Sequence, residues 1–193
     1  RTGEGQVVDS AMVDGSLSLM SFFYSLKEMG HWVDKRESNL LDGFAHFYDT
    51  YECSDNKFLA VGSIEPQFYS ELLDKLGIEE DKFKDQHNKD LWPELKNIMS
   101  SKIKSKSRSE WIEIFKDSDA CVSPVLSMEE AKKHPHNIER EAFINIDGFN
   151  QPNASPRYSV TKQEIKHNAK QVGADLDDIC KEFNLSIDAL KKT

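Results

Sequence analysis

Asp9 is the side chain whose surroundings most need an explanation. It lies in the stretch GEGQVVDSAMVDG, residues 3–15, between two valines and an Ala-Met-Val run where burial is expected. An ionised carboxylate is costly to bury unless another group pairs with it or the protein uses it chemically. The local pattern alone favours an ordinary task, because Asp is a common helix N-cap and a helical pattern begins directly after it.

Two other places carry reactive residue types in patterns that argue against a site. His134 and His136 flank a proline, with Glu139 three residues further on. Nothing nearby supplies more ligands, so the sequence predicts surface histidines and no metal. Cys121, in DACVSPV, lies in an apolar strand pattern, which predicts a buried and inert thiol.

The composition argues against several classes of protein. The 193 residues include 34 acidic and 25 basic side chains, for a net charge of −9. We therefore expect no nucleic-acid partner, since surfaces that bind nucleic acid are basic. The three cysteines are scattered, which predicts an intracellular, reducing compartment and no disulfide framework. No apolar run reaches the ~18 residues of a membrane helix, so no membrane insertion is expected.

Apolar periodicity predicts a mixed α/β chain. A strand ends over residues 6–8, and Asp9 or Ser10 caps a helix of about 20 residues that Gly30 terminates. This helix is too apolar to stand alone on a surface, so we expect it to need cover. The further predicted elements are a hairpin over 47–51 and 57–62, helices from Pro66, near Trp92 and over Arg108–Phe115, a helix capped by Ser127, a second hairpin after Arg140, and a tail helix over Asp175–Lys192.

Four segments occur in an order that resembles a known family. They are RTGEGQVVDSAMVDG, NLLDGFAHFYDTYECSDNKFLAVGSIEPQFYSELLDKLGI, LWPELK and DSDACVSPVLSMEEAKKHPHNIER. Together they resemble the second half of the alpha-methylacyl-CoA racemases, which belong to the class III CoA-transferase family. The resemblance runs from Arg1 to about Ser159. Because the chain starts at Arg1 and enters a fold within a few residues, we expect it to be a piece of something longer.

The resemblance implies an α/β fold: the small α/β domain of the class III CoA-transferase fold, plus the entry and return segments of a Rossmann-like large domain. Residues 1–44 would be a strand end and a long helix of the large domain. Residues 45–140 would form the small domain, and residues 141–193 would link back to the large domain. The family also implies an interlocked homodimer.

The resemblance further implies an activity. These racemases invert the 2-methyl centre of branched acyl-CoA thioesters by removing and returning the α-proton through an enolate. Asp9 matches the aspartate of the acid/base pair, and Glu94, in WPE, matches the glutamate that supports the partner histidine. That histidine and most CoA-binding residues lie upstream in the family, so this chain alone is expected to be inactive. No cofactor is implied, because CoA enters as part of the branched-chain acyl-CoA substrate.

Two alternatives stay open beside the racemase. One is a class III CoA-transferase that moves CoA between carboxylic acids, and the other is a non-catalytic dimerisation module. The sequence also departs from the family's LDGGAPFY pattern at Phe44 and His46, which puts the fit of the substrate in question more than the reaction. The family implies a mitochondrial or peroxisomal location in a eukaryote and a cytoplasmic one in a bacterium.

Overall fold

A computed structural model describes residues 3–187 of the protein. Contacts between residues divide the chain into two compact units, Arg1–Val125 and Leu126–Thr193. The assignment of residues 1–44, 45–140 and 141–193 to domains of a larger enzyme stays a prediction. No helix within the described part of the chain is both long and apolar enough to cross a membrane.

The first unit combines helices with a small sheet, as the periodicity predicts. Its elements are α1 (Met12–Leu19), α2 (Ser21–Glu28), β1 (Tyr48–Glu52), β2 (Phe58–Gly62), α3 (Pro66–Leu76), a 3₁₀ turn (Asp81–Lys84), α4 (Trp92–Ile103), α5 (Arg108–Ile114) and β3 (Val122–Pro124). The strands form an antiparallel sheet in the order β1-β2-β3. The β1–β2 hairpin is confirmed, with Tyr48 opposite Gly62 and Glu52 opposite Phe58.

The second unit is built around a short hairpin. Its elements are α6 (Met128–Lys133), α7 (Pro135–Glu139), β4 (Phe143–Ile146), β5 (Phe149–Pro152) and α8 (Leu176–Glu182). Asp147 and Gly148 both have positive φ at the β4–β5 turn, which is the geometry that favours Asp-Gly between two strands. The predicted tail helix over Asp175–Lys192 is shorter in the structure, and residues 188–193 lie outside the described part.

Capping residues set several helix boundaries where the sequence predicts them. Pro66 lies in the first turn of α3, and Gly77 ends that helix in the left-handed conformation. Ser127 caps α6 and forms a capping box with Glu130, in which each residue's side chain bonds to the other's backbone N–H. These local signals are sufficient because each suits the backbone groups that a helix leaves unbonded at its ends. Pro66 has no N–H that would need a partner, the Gly77 N–H donates to the Asp74 carbonyl, and the Ser127 hydroxyl accepts the Glu130 N–H.

The first helical segment differs from its prediction. Instead of one long helix there are two eight-residue helices separated at Met20. The Ser16 hydroxyl donates to the Met12 carbonyl and the Ser21 hydroxyl to the Ser18 carbonyl. Such back-bonding competes with the helical ladder and bends helices, which accounts for the interruption. The Gly30 stop is confirmed, with Gly30 in the left-handed conformation.

The segment before α1 also corrects the prediction. Residues 6–8 form no strand in the described chain, and no described strand pairs with them. The N-cap of α1 is Ala11 with no side-chain cap, so neither Asp9 nor Ser10 caps the helix. Apolar side chains of this segment and of α1–α2 are exposed: Val7, Val8, Met12, Val13, Leu17, Leu19, Met20, Phe22, Tyr24 and Met29. The described residues therefore do not supply the burial that the sequence predicts around Asp9.

His46 lies in the core of the first unit. It is fully buried, its Nε2 is 2.7 Å from the Tyr69 hydroxyl, and its Nδ1 has no hydrogen-bond partner among residues 3–187. Aromatic rings surround the imidazole, with the ring of Phe47 at 5.0 Å and that of Phe83 at 5.6 Å between centroids. Burial, with a smaller contribution from His87, lowers the pKa of His46 to about 4.

This burial predicts a loss of stability in mild acid. Below pH 6.5 the unfolded chain protonates His46 while the folded chain does not, until the pH falls to about 4. Across that window the free energy of unfolding should fall by roughly 3 kcal/mol more in the parent than in His46→Gln. Urea unfolding at pH 7 and at pH 4 measures this difference. His136→Gln, an exposed control, should show the same change in the free energy of unfolding between the two pH values as the parent. An equal change with pH in the parent and in His46→Gln would contradict the lowered pKa of His46.

Candidate active site

Glu94 lies at a helix start that buried residues anchor to the core. It lies in the first turn of α4, directly after Pro93, as the sequence predicts. Trp92 and Leu95 on either side are buried. The Trp92 indole N–H donates to the Gln86 carbonyl at 2.7 Å, and the Gln86 amide donates to the carbonyls of Ser63 and Ile64, both at 3.0 Å. This chain of bonds ties the start of α4 to the end of β2.

The Glu94 carboxylate itself points into solvent and carries one ion pair. Its side chain is 59% exposed, and its Oε1 is 2.7 Å from the Lys82 Nζ. Lys82 also pairs with Glu80 at 3.1 Å. No described residue bonds to the second oxygen of Glu94, so that oxygen is open to a hydrogen-bond donor from outside the described chain.

A second lysine joins α4 to the loop before β1. The Lys96 Nζ is 2.5 Å from the Gly43 carbonyl and 2.5 Å from Asp49 Oδ2. Both charged side chains are mostly buried, at 31% and 21% exposure, so this pair is screened less than a surface pair. Lys96 therefore holds the Gly43 loop against the helix that presents Glu94.

The same loop carries the two departures from the family pattern. Phe44 packs edge-to-face on Trp92, with 5.4 Å between ring centroids. His46 turns into the core, as described above. Both bulky residues are accommodated by the aromatic core, and neither lines the recess of about 460 Å³ that Asp42, Gly43 and Cys121 help to form.

Asp9 has no bonded role in the described chain. It lies in an extended, exposed segment and makes no hydrogen bond or ion pair with any described residue. No contact brings it together with Glu94. The structure thus anchors one of the two predicted site residues and leaves the other presented on an apolar, uncovered surface.

The remaining reactive residues behave as structural or surface groups. Cys121 is exposed, not buried as predicted, because its φ of +53° places it at the turn into β3. Partial desolvation of the sulfur, followed by neighbouring carboxylates such as Glu65, still raises the pKa of the Cys121 thiol, so it is not activated. No cluster of ligands for a metal ion exists among residues 3–187.

Sequence reasoning missed Lys82 and Lys96. Lys82 lies twelve positions before its partner Glu94 across an irregular stretch, and Lys96 lies 47 positions after its partner Asp49. Both separations exceed the two to four residues over which a strand or a helix places side chains on one face, so only the tertiary arrangement brings these lysines to their partners. A scan for surface lysines would not have distinguished them from Lys84 or Lys89.

The small antiparallel sheet and its flanking helices form a mixed α/β domain, and the Glu94 carboxylate lies at the start of one of these helices. Residues 1–176 match the profile of CoA-transferase family III, and the chain belongs to that family. Alpha-methylacyl-CoA racemase of Mus musculus is 42% identical over 189 residues, which is 96% of this chain and 49% of that protein. The Homo sapiens enzyme is 44% identical over 157 residues, 81% of this chain and 40% of that protein.

Structural comparison agrees with the sequence relationship. A CaiB/BaiF family protein from Brucella suis superposes with a TM-score of 0.71 at 16% identity, covering 94% of this chain and 49% of that one. The predicted α/β fold of the class III CoA-transferases is thereby confirmed. The chain spans about half the length of the relatives it matches.

The Gly43 loop yields a test of how firmly α4 is held. Gly43 has a φ of +89°, and an added Cβ would lie 3.3 Å from Oδ1 of Asp49, the residue whose Oδ2 pairs with Lys96. Gly43→Ala should lower the free energy of unfolding by about 1–3 kcal/mol. Gly15→Ala, in α1 with open space around it, should cause no loss. Urea denaturation measures both, and a neutral Gly43→Ala would show that the loop is not constrained.

Proposed function

We propose that this chain is the C-terminal half of a racemase that inverts the 2-methyl centre of branched acyl-CoA thioesters. The family membership and the 42% and 44% identity to proteins named alpha-methylacyl-CoA racemase support the proposal. The observation that carries Asp9 into it is structural. Asp9 does not cap α1 and bonds to no described residue, which supports the proposal because its carboxylate stays available to a substrate.

The proposed chemistry is proton transfer at the carbon next to the thioester. That proton is weakly acidic, so the reaction needs a positioned base on one side, an acid on the other, and stabilisation of the enolate between them. Asp9 serves one face of the substrate, beside the exposed apolar side chains of Val8 and Met12, against which an acyl chain would pack. A histidine from the rest of the protein serves the other face.

Glu94 is proposed to support that histidine. A carboxylate that accepts the second ring N–H of an imidazole fixes its orientation and tautomer, and stabilises the imidazolium that forms when the ring takes a proton. The open oxygen of Glu94 is available for such a bond. Because the histidine and the CoA-binding residues of the family lie upstream, the isolated chain is proposed to be inactive.

The remaining expectations complete the proposal. CoA is bound as part of the substrate, and no further cofactor takes part. The intact protein is an interlocked homodimer whose uncovered α1–α2 surface is buried in the assembly, which accounts for its apolar character. The compartment is mitochondrial or peroxisomal in a eukaryote and cytoplasmic in a bacterium.

Activity assays distinguish the two competing functions from a racemase. A class III CoA-transferase would require a free carboxylic acid acceptor, whereas a racemase turns over with the thioester alone. A non-catalytic dimerisation module would bind a second copy of itself and would not turn over the thioester, with or without an acid acceptor. The retained Asp9 and Glu94 favour an enzyme over the module.

The complete protein should interconvert the enantiomers of a 2-methylacyl-CoA without an acid acceptor. Asp9→Asn should lower the racemisation rate by roughly 100-fold or more, since a positioned acid/base typically contributes that much. Chromatographic separation of the enantiomers measures the rate. The isolated chain should show none.

Asp14→Asn is the matched control, because Asp14 lies in the first turn of α1 and is exposed like Asp9. It should retain the parental rate. Parental activity in Asp9→Asn, or dependence on a free acid acceptor, would contradict the racemase assignment.

A further inference from the structure

Glu94 and Lys82 lie on two neighbouring elements, and each element is anchored in the core by buried residues of its own. Its own position follows from the buried Trp92 and Leu95 at the start of α4. The 3₁₀ turn Asp81–Lys84 is held separately, because Phe83 is buried and its carbonyl accepts the Tyr69 hydroxyl at 3.1 Å. Lys82 extends from this turn and meets Glu94 across the gap.

The contact between them is more enclosed on the lysine side. The Lys82 side chain is 33% exposed, against 59% for Glu94 and 50% for Glu80. Its ammonium group lies 2.7 Å from Glu94 Oε1 and 3.1 Å from Glu80 Oε2. Among the described residues, Lys82 is the one cation within ion-pair distance of Glu94.

The ion pair with Lys82 fixes one oxygen of the Glu94 carboxylate and leaves the other available. Lys82 occupies Oε1, and Oε2 remains without a partner in the described chain. A carboxylate with one oxygen anchored cannot rotate freely, so its other oxygen points in a defined direction. Glu80 gives the ammonium group a second carboxylate partner, which favours the position that Lys82 takes beside Glu94.

We propose that Lys82 is a positioning residue that orients Glu94 toward the histidine. This inference rests on the proposed function, in which Glu94 supports that histidine. The hydrogen bonds and charges of Glu94 and Glu80 raise the pKa of Lys82, so the lysine stays protonated wherever the enzyme would work. Lys82 touches neither substrate nor reacting atoms, and its effect passes through Glu94.

Racemisation kinetics of the complete protein test the proposal. Lys82→Gln should lower kcat roughly three- to tenfold and leave KM unchanged, because a misdirected Glu94 weakens only the chemical step. Lys82→Arg should retain most of the rate, since a guanidinium can also bond both carboxylates. Lys84→Gln is the matched control: Lys84 lies in the same turn, pairs with Asp81 at 2.6 Å and is exposed, so it should behave as the parent.

A double-mutant cycle separates positioning from a general structural effect. In a Glu94→Gln background, Lys82→Gln should change kcat by less than about twofold, because the side chain it orients has lost its charge. An undiminished loss in that background, or equal effects of Lys82→Gln and Lys84→Gln, would overturn the inference while leaving the racemase proposal intact. If Glu94→Gln itself left kcat unchanged, the proposed role of Glu94 would fail, and this inference with it.

Discussion

The burial of Trp92 is the constraint on which the arrangement of the first unit depends. Its ring packs edge-to-face on Phe47 and Phe44, and its indole N–H bonds to Gln86, which in turn bonds to the end of β2. A buried indole N–H without a partner would cost about 1–3 kcal/mol, so the Gln86 bond and the packing select the same position. The start of α4, and with it Glu94, is fixed as a consequence.

The two proposed site residues, Glu94 and Asp9, differ in which part of the protein positions them. Glu94 is held by described groups of this chain, since Trp92 anchors the start of its helix and Lys82 pairs with one of its carboxylate oxygens. Asp9 is held by nothing that the structure describes, and the apolar side chains around it are exposed. In an intact enzyme Glu94 would be preorganised by the small domain, whereas Asp9 would gain its position only when the remaining half of the protein covers α1 and α2. Such a division would make catalysis conditional on assembly.

Much of the fold could be predicted from the sequence because its signals are local. Pro66 with Gly77, Ser127 with Glu130, and Asp147 with Gly148 each set a boundary through backbone geometry that a few neighbouring residues determine. Prediction failed where long-range partners decide. Residues 6–8 have the composition of a strand but no described strand to pair with, and Cys121 sits in an apolar run yet is turned outward by its backbone.

The site shows the same division between local and distant causes. Glu94 was identified only through the family resemblance, since a first-turn glutamate is ordinary by itself. The lysines that position Glu94 and its loop could not be found from spacing, because Lys82 and Lys96 reach their partners through tertiary packing. His46, where the family pattern has a proline, became part of the aromatic core; nothing in the pattern of polar residues indicates that an imidazole is buried there.

The most direct test of the central claim is α-proton exchange, followed separately from each pure enantiomer of a 2-methylacyl-CoA in D₂O. The complete protein should introduce deuterium from both enantiomers, because an acid/base group stands on each face of the substrate. Asp9→Asn should lose exchange from the enantiomer whose proton faces Asp9 and keep it from the other. Exchange from both enantiomers at the parental rate in Asp9→Asn would contradict the account.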